Sequence, residues 1–247
     1  MPIVQTEAVI LKCDNYRETS KIITFFTLSH GKLKCIAKGV RNSRSRWGGA
    51  LQTMALVKIM FYYKETRTLH LISGAEHLIT LNSIYDDFDK MQFGYRMIEL
   101  VNKTTAEYQE NTKIYNLLAN SLQILESATK NYVNVLFNFE LRLLELLGYN
   151  INIDVLPGEN VDFKAQNKYF YENRFSPGEQ KTLEVSSGDQ KALEVLSGGN
   201  FNSMMALNIS KQQVFALEKF FENYLRDHFE HAGFSNAKKV FNSLKLF

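Results

Sequence analysis

The sequence predicts an α+β chain in which a small five-stranded β-barrel over residues 1–80 is followed by an α-helical domain. Three observations carry this prediction. The first 80 residues contain five short runs rich in β-branched and aromatic residues, separated by turn chemistry. From about residue 81 the apolar spacing changes to the period of an α-helix. The chain of 247 residues is 45% hydrophobic and 13% aromatic, enough apolar surface to bury a substantial core.

The first run, residues 3–13, is extended and apolar, and Asp14-Asn15 after it is a turn signal. Residues 20–28 are rich in Ile, Thr and Phe, and Ser29-His30-Gly31 offers a hairpin loop with glycine where a positive φ is needed. Residues 32–38 alternate, which places Lys32 and Lys34 on one face and Leu33 and Cys35 on the other. A polar segment, 39–49, precedes a fourth strand at 53–63, and a turn near Lys64-Glu65 leads to a fifth at 68–76. Five strands in about 75 residues is the count of an OB-fold, and SH3-like barrels have similar counts.

Residues 91–107, 113–129 and 131–147 show helical spacing, and Gly148 suits the position just past a helix end. A further helix is expected at 211–231. The α-helical domain is therefore drawn from 81–149 and 200–247, around a loop-rich insertion at 150–199 that holds two of the three prolines and five of the thirteen glycines. Within it QKTLEVSSGD (180–189) and QKALEVLSGG (190–199) match at seven of ten positions. Two short copies read as a local duplication in a tolerant loop rather than a repeat architecture.

Charge is distributed unevenly. Residues 1–80 hold 12 Lys/Arg against 5 acids, and the rest holds 17 against 21. No acid occurs between Glu18 and Glu65, whereas Lys21, Lys32, Lys34, Lys38, Arg41, Arg44, Arg46, Lys58 and Lys64 all fall there. A folded one-sign stretch calls for a polyanion, a membrane surface or an acidic partner, and nucleic acid leads. Trp47, between Arg46 and two glycines, is either a base-contacting ring or a packed one; Tyr16, Phe61, Tyr62 and Tyr63 supply further aromatics. No run of about 18 apolar residues is present, so no membrane span is expected. The start Met1–Gln5 lacks the features of a secretory leader. The two cysteines, Cys13 and Cys35, fit reduced buried thiols, and the cytoplasm is the expected compartment.

Catalytic signatures are missing: there is no GxxxxGK[ST], HExxH, GxSxG or CxxC, and no catalytic residue, metal site or cofactor is expected. His228 and His231 stand three apart on an expected helix, with surface or helix-terminal roles favoured over metal ligation. Glu140 and Glu145 read as solvated positions. Arg142 lies among Phe139, Leu141, Leu143 and Leu144, where it either pairs with a nearby acid or, with Phe139 and Leu143, lines a pocket for an acidic or C-terminal peptide.

Residues 6–52, with Tyr16-Arg17-Glu18, His30-Gly31-Lys32, Ala37-Lys38-Gly39 and Ser45-Arg46-Trp47-Gly48-Gly49, resemble the N-terminal domain of the bacterial recombination mediator RecO family. The run from Phe139 to Tyr149 resembles that family's central-helix signature, and Phe175-Ser176-Pro177 a later landmark. The resemblance implies an OB-fold followed by an α-helical domain. It further implies binding of single- and double-stranded DNA, strand annealing, contact with the acidic C-terminal tail of single-stranded-DNA-binding protein, cooperation with RecR in loading RecA, and a cytoplasmic, nucleoid-associated location. One departure stands out. Many members carry a four-cysteine zinc module after the helix signature, but 154–189 contains no cysteine, and Asp154, Glu159 and Asp162 are poor substitutes for thiolates. The region is expected as a loop or small β-element. The DNA path is expected to run through Lys32, Lys34, Lys38, Arg41, Arg44, Arg46 and Trp47, with Arg17 and Lys21 flanking. An RNA-binding or translation-associated OB module and a protein-interaction scaffold are the alternatives.

Overall fold

In the computed structural model, which describes residues 2–42, 45, 47–149, 152–155, 182–185, 195–198 and 201–229, the first strand is long enough to serve two partners. This strand, β1 (Ile3–Tyr16), pairs antiparallel with β2 (Ser20–Thr27) through its C-terminal half. Its N-terminal half pairs antiparallel with β4 (Leu56–Tyr62). Between Ile10 and Lys12 the register with β2 slips, so Leu11 is an extra residue that bends the strand toward closure. β3 (Gly31–Ala37) pairs antiparallel with β2 and parallel with β5 (Leu69–Ile79), which in turn pairs antiparallel with β4. The order β1-β2-β3-β5-β4 closes on itself, giving the expected five-stranded OB barrel. Its inward-facing residues, among them Ile10, Ile23, Phe25, Leu33, Cys35, Val57, Ile59 and Phe61, are fully buried.

One turn differs from expectation. Asp14 and Asn15 remain in the ladder opposite Ile22 and Lys21, and the reversal falls at Arg17, whose φ is +53°. The outward side chains of Asp14 and Asn15 are tolerated because this end of the strand is exposed.

The chain divides into two compact units, residues 1–127 with 229–247, and 128–228. In the first, the barrel is joined by α1 (Asn82–Asp86), α2 (Phe88–Thr104) and α3 (Thr112–Ser127). Asp87 caps α2, its carboxylate accepting from the amides of Asp89 and Lys90 at 2.9 and 3.0 Å. The helix therefore starts three residues before the apolar spacing suggests. Glu126 of α3 accepts from the amides of Ser83 and Ile84 at the start of α1, and buried Lys90 of α2 donates to Ser83 Oγ and the Glu126 carbonyl. Three helices are thus tied by one polar node. Gly94 lets α2 approach the barrel: a Cβ there would stand 2.7 Å from Met54 Sδ.

The second unit is built on α4 (Tyr132–Leu146), which ends as expected at Gly148 (φ +87°). The amides of Gly148 and Tyr149 donate to the carbonyls of Glu145 and Leu144, the paired bonds of a Schellman cap. Asn131, Asn134 and Asn138 donate from their side-chain amides to carbonyls in the 196–207 segment, which includes α5 (Phe201–Ala206). Phe137 stacks on Phe221 of α6 (Lys211–His228). α6 opens on a Ser210/Gln213 capping box. Glu140, expected in solvent, is only 3% exposed, because α4 is covered on more of its circumference than a single apolar stripe suggests.

The insertion does form a small β-element: β6 (Asn152–Val155) pairs parallel with β7 (Thr182–Val185). In the duplicated decapeptides Val185 is in a strand and the matching Val195 in a helical turn, so the two copies do not adopt one repeated structure. Glu159, Asp162 and His231 lie outside the described residues.

Candidate nucleic-acid interface

The hairpin turn between β1 and β2 and the loop leaving β3 meet at one end of the barrel. Arg41 connects them: its backbone amide donates to the Thr19 carbonyl at 2.9 Å, and its guanidinium donates to the Arg17 carbonyl at 3.1 Å. Arg17 and Arg41 are both exposed, and the Arg17 guanidinium lies 5.2 Å from the centre of the Tyr16 ring. Lys38, also exposed, closes β3 next to Gly39 (φ +67°). Lys21 stands opposite Ala37 in the β2–β3 ladder and donates to the Leu51 carbonyl at 3.3 Å. Four cations from two loops and one strand therefore share this end, and backbone carbonyls hold the side chains of Lys21 and Arg41. Exposed Glu18 in the same turn offsets one of these charges, and the excess of cations leaves a positive field for an anionic ligand.

Trp47 is half-buried and packs on the barrel core, while its carbonyl accepts from the amides of Ala50 and Leu51. It supports the loop beside the cations. Arg44 and Arg46 lie outside the described residues.

The other lysines of β3 are placed differently. Lys32, expected with the DNA path, is 9% exposed, and its ammonium donates to the carbonyls of Asn102 and Thr105 at 2.5 and 2.6 Å. Burial lowers its pKa, and the nearby Glu107 carboxylate offsets part of that effect. Its charge serves the C-terminal end of α2, where carbonyls lack helical partners. Lys34 is exposed and paired with Glu107 at 2.6 Å. Lys58 stands in register between Glu7 and Glu76, so its charge is matched across the sheet.

Near the start of β3 a second group of side chains assembles. His30, Phe61, Tyr63, His70 and Tyr108 form a contiguous ring cluster, with Tyr63 stacked on His70 at 5.2 Å. Burial lowers the pKa of both histidines. No sequence signal announced this cluster, because its members come from four separated segments.

In the second unit Arg142 is half-buried and its guanidinium pairs with Glu145 at 2.8 Å, the ion-pair arrangement weighed for it. Phe139 and Leu143 are 0% and 1% exposed, so they support the helix from the core. His228 donates from Nδ1 to the Tyr224 carbonyl and stacks on the Tyr224 ring, a helix-terminal role. Among the described residues no group of three His, Cys, Asp or Glu is placed to hold a metal ion, and the two cysteines of the sequence both lie in the barrel. The residues do not fit a thiolate zinc site. No helix among the described residues is long and apolar enough to cross a membrane.

Comparison with known proteins agrees with this architecture. Residues 1–80 match the family model for the recombination protein O N terminal region, and residues 85–236 that for the recombination protein O C terminal region. The DNA repair protein RecO of Salinibacter ruber is 27% identical over 243 residues, covering 96% of this chain and 93% of the relative. Those of Chlorobium limicola and Chloroherpeton thalassium are 33% and 31% identical, covering 71% and 66% of this chain and 69% and 64% of each relative. With two family models matching residues 1–80 and 85–236, the chain belongs to the recombination protein O family.

Proposed function

We propose that this protein is a non-enzymatic mediator of recombinational DNA repair that binds single- and double-stranded DNA, anneals complementary strands and helps load the recombinase onto strands coated by single-stranded-DNA-binding protein. The observation that carries the reading is the joining of Arg17 to Arg41, with Lys21 and Lys38 beside them, at one end of an OB barrel. Loops at this end of an OB barrel commonly hold oligonucleotides. Annealing needs no catalytic group, because a cationic surface screens the repulsion between two strands and holds them near each other. The acidic tail of single-stranded-DNA-binding protein is assigned to the outer flank of Arg142, where an incoming carboxylate exchanges with Glu145. RecR is the expected co-mediator, and the nucleoid the expected location.

The test is a salt titration of single-strand binding by the Arg17→Ala/Arg41→Ala double variant. Loss of two phosphate contacts flattens the slope of log K against log salt by about 1.4, at every sequence alike. An unchanged affinity and slope would remove this surface from the DNA path. Stronger competition by RNA than by single-stranded DNA at matched salt would favour the RNA-binding alternative instead.

A further inference from the structure

The segment between α2 and α3 crosses the outside of the barrel, fixed at several points. Residue Glu107 forms a parallel bridge with Lys32, and the Tyr108 amide donates to the Lys32 carbonyl at 2.9 Å. The Thr105 carbonyl accepts from the Lys32 ammonium, and the Tyr108 hydroxyl donates to the Arg67 carbonyl at 3.3 Å. Gly31 permits the approach: a Cβ there would lie 2.3 Å from the Gln109 carbonyl oxygen. The backbone of this strap is thus held, and Tyr108 adopts a left-handed φ of +58°. The Glu107 side chain is different. Its carboxylate accepts from the Lys34 ammonium at 2.6 Å, and the two side chains are 41% and 47% exposed.

Lys34 and Ile36 lie on one face of β3 by alternation, and exposed Lys38 follows directly after the strand's last residue, Ala37. A strand laid on Lys38 and continued along that face therefore reaches Lys34 about 13 Å away, where a carboxylate already occupies the ammonium. Exposed Arg67 and the partly exposed Tyr108 ring border the same place. We infer that Glu107 is a built-in phosphate mimic: it holds Lys34 in the free protein and is displaced by a nucleic-acid phosphate, so that the far end of the β3 face is a second, gated contact for a single strand. The gate is the side chain alone, since the strap's backbone bonds do not depend on it. This inference rests on the DNA-binding reading above.

An exposed pair of this kind is weak, so the gate sets the order and extent of engagement rather than blocking it. The experiment is a double-mutant cycle on Glu107→Gln and Lys34→Ala, reading single-strand affinity and salt slope, with thermal midpoints as a control on the strap. Glu107→Gln is expected to tighten binding about two- to fivefold and to steepen the salt slope by about 0.7, with little change in midpoint. Lys34→Ala is expected to cost little alone and to abolish the gain in the Glu107→Gln background. If Glu107→Gln leaves affinity and slope unchanged while Arg17→Ala/Arg41→Ala still weakens binding, the gate is refuted and the DNA surface stands. If neither variant changes binding, both readings fall. A gain that survives removal of Lys34 also refutes the gate, since the carboxylate then acts only as a general repulsive charge.

Discussion

Replacing Lys32 with methionine separates a structural lysine from a phosphate-binding one on the same strand. The ammonium donates at 2.5 and 2.6 Å to the carbonyls of Asn102 and Thr105, and it is 9% exposed. Hydrogen bonds to a charged group contribute about 1.5–3 kcal/mol each, and a cation at a helix C-terminus adds about 0.3–1 kcal/mol. Against this stands a desolvation penalty of several kcal/mol for the ammonium, roughly the worth of one to two of those bonds. Methionine keeps the packing of the lysine stem and escapes the penalty, but leaves both carbonyls without a donor. The net loss is about 2 kcal/mol. For a unit the size of Met1–Ser127 this lowers the thermal midpoint by on the order of 7 °C. The sign of the pH dependence follows from burial, which lowers the Lys32 pKa below the ordinary 10.5. The folded state therefore releases this proton before the unfolded chain does, and stability from the site rises with pH between the depressed value and 10.5. The wild-type advantage over Lys32→Met should widen across that window. Calorimetry at pH 8 and pH 10 (roughly spanning it) measures the change, and a salt titration with single-stranded DNA on the same proteins completes the test. The expected slope is unchanged. A midpoint equal to wild type together with a slope flattened by about 0.7 would refute the assignment and return Lys32 to the DNA path.

Two further substitutions probe the same region. Gly31→Ala meets both a φ of +64° and the Gln109 carbonyl at 2.3 Å, so it should destabilise by about 3 kcal/mol or more in urea unfolding; a change below about 0.5 kcal/mol would show that the strap does not cross there. His70 is buried among Phe61, Tyr63 and Tyr108, and burial lowers its pKa from the ordinary 6.5. Below 6.5 the unfolded chain takes up a proton that the folded state refuses, so stability falls with acidification down to the depressed folded value. His70→Phe should flatten that loss, and parallel stability curves from pH 7.5 to 5 (a range chosen around the ordinary value, roughly two units wide) would contradict the assignment.

The barrel was legible in the sequence because each strand's pattern follows from local burial: Phe25 and Leu33 face in, Lys34 faces out, and the period of two records it. Gly31 and Gly148 were legible as conformational necessities, and both have positive φ. Turns were less so, because Asp14 and Asn15 are turn formers that an exposed strand end also accepts. The cations of β3 show the limit most clearly. Lys32 and Lys34 share one face by alternation, yet one is buried and the other exposed. The difference is made by residues 102–107, some 70 positions away, and no local pattern carries that information. Glu107 itself ended an expected helix, whereas α2 stops at Thr104 and frees it for the strap. Thr104 and Thr105 hydroxyls bond back to the carbonyls of Leu100 and Val101, and Lys32 takes those of Asn102 and Thr105, which together complete the end of the helix.

The acid-free interval thus contains three kinds of cation that sequence alone counts as one. Lys32 holds a helix end, Lys34 and Lys58 stand opposite carboxylates drawn from outside the interval, and Lys21 and Arg41 donate to backbone carbonyls beside exposed Lys38 and, just ahead of the interval, Arg17. This division changes what a salt titration should report. A count of every cation in the interval implies a steep slope, but only a cation that displaces condensed counterions contributes to it. Lys32 does not change its partners on binding, and a lysine that exchanges a carboxylate for a phosphate releases less than an unpaired one. The measured slope of the wild-type protein should therefore fall short of its cation count and increase when carboxylates beside the path are neutralised. Net charge indicates that a polyanion binds; the partners of each ammonium determine how strongly salt opposes it.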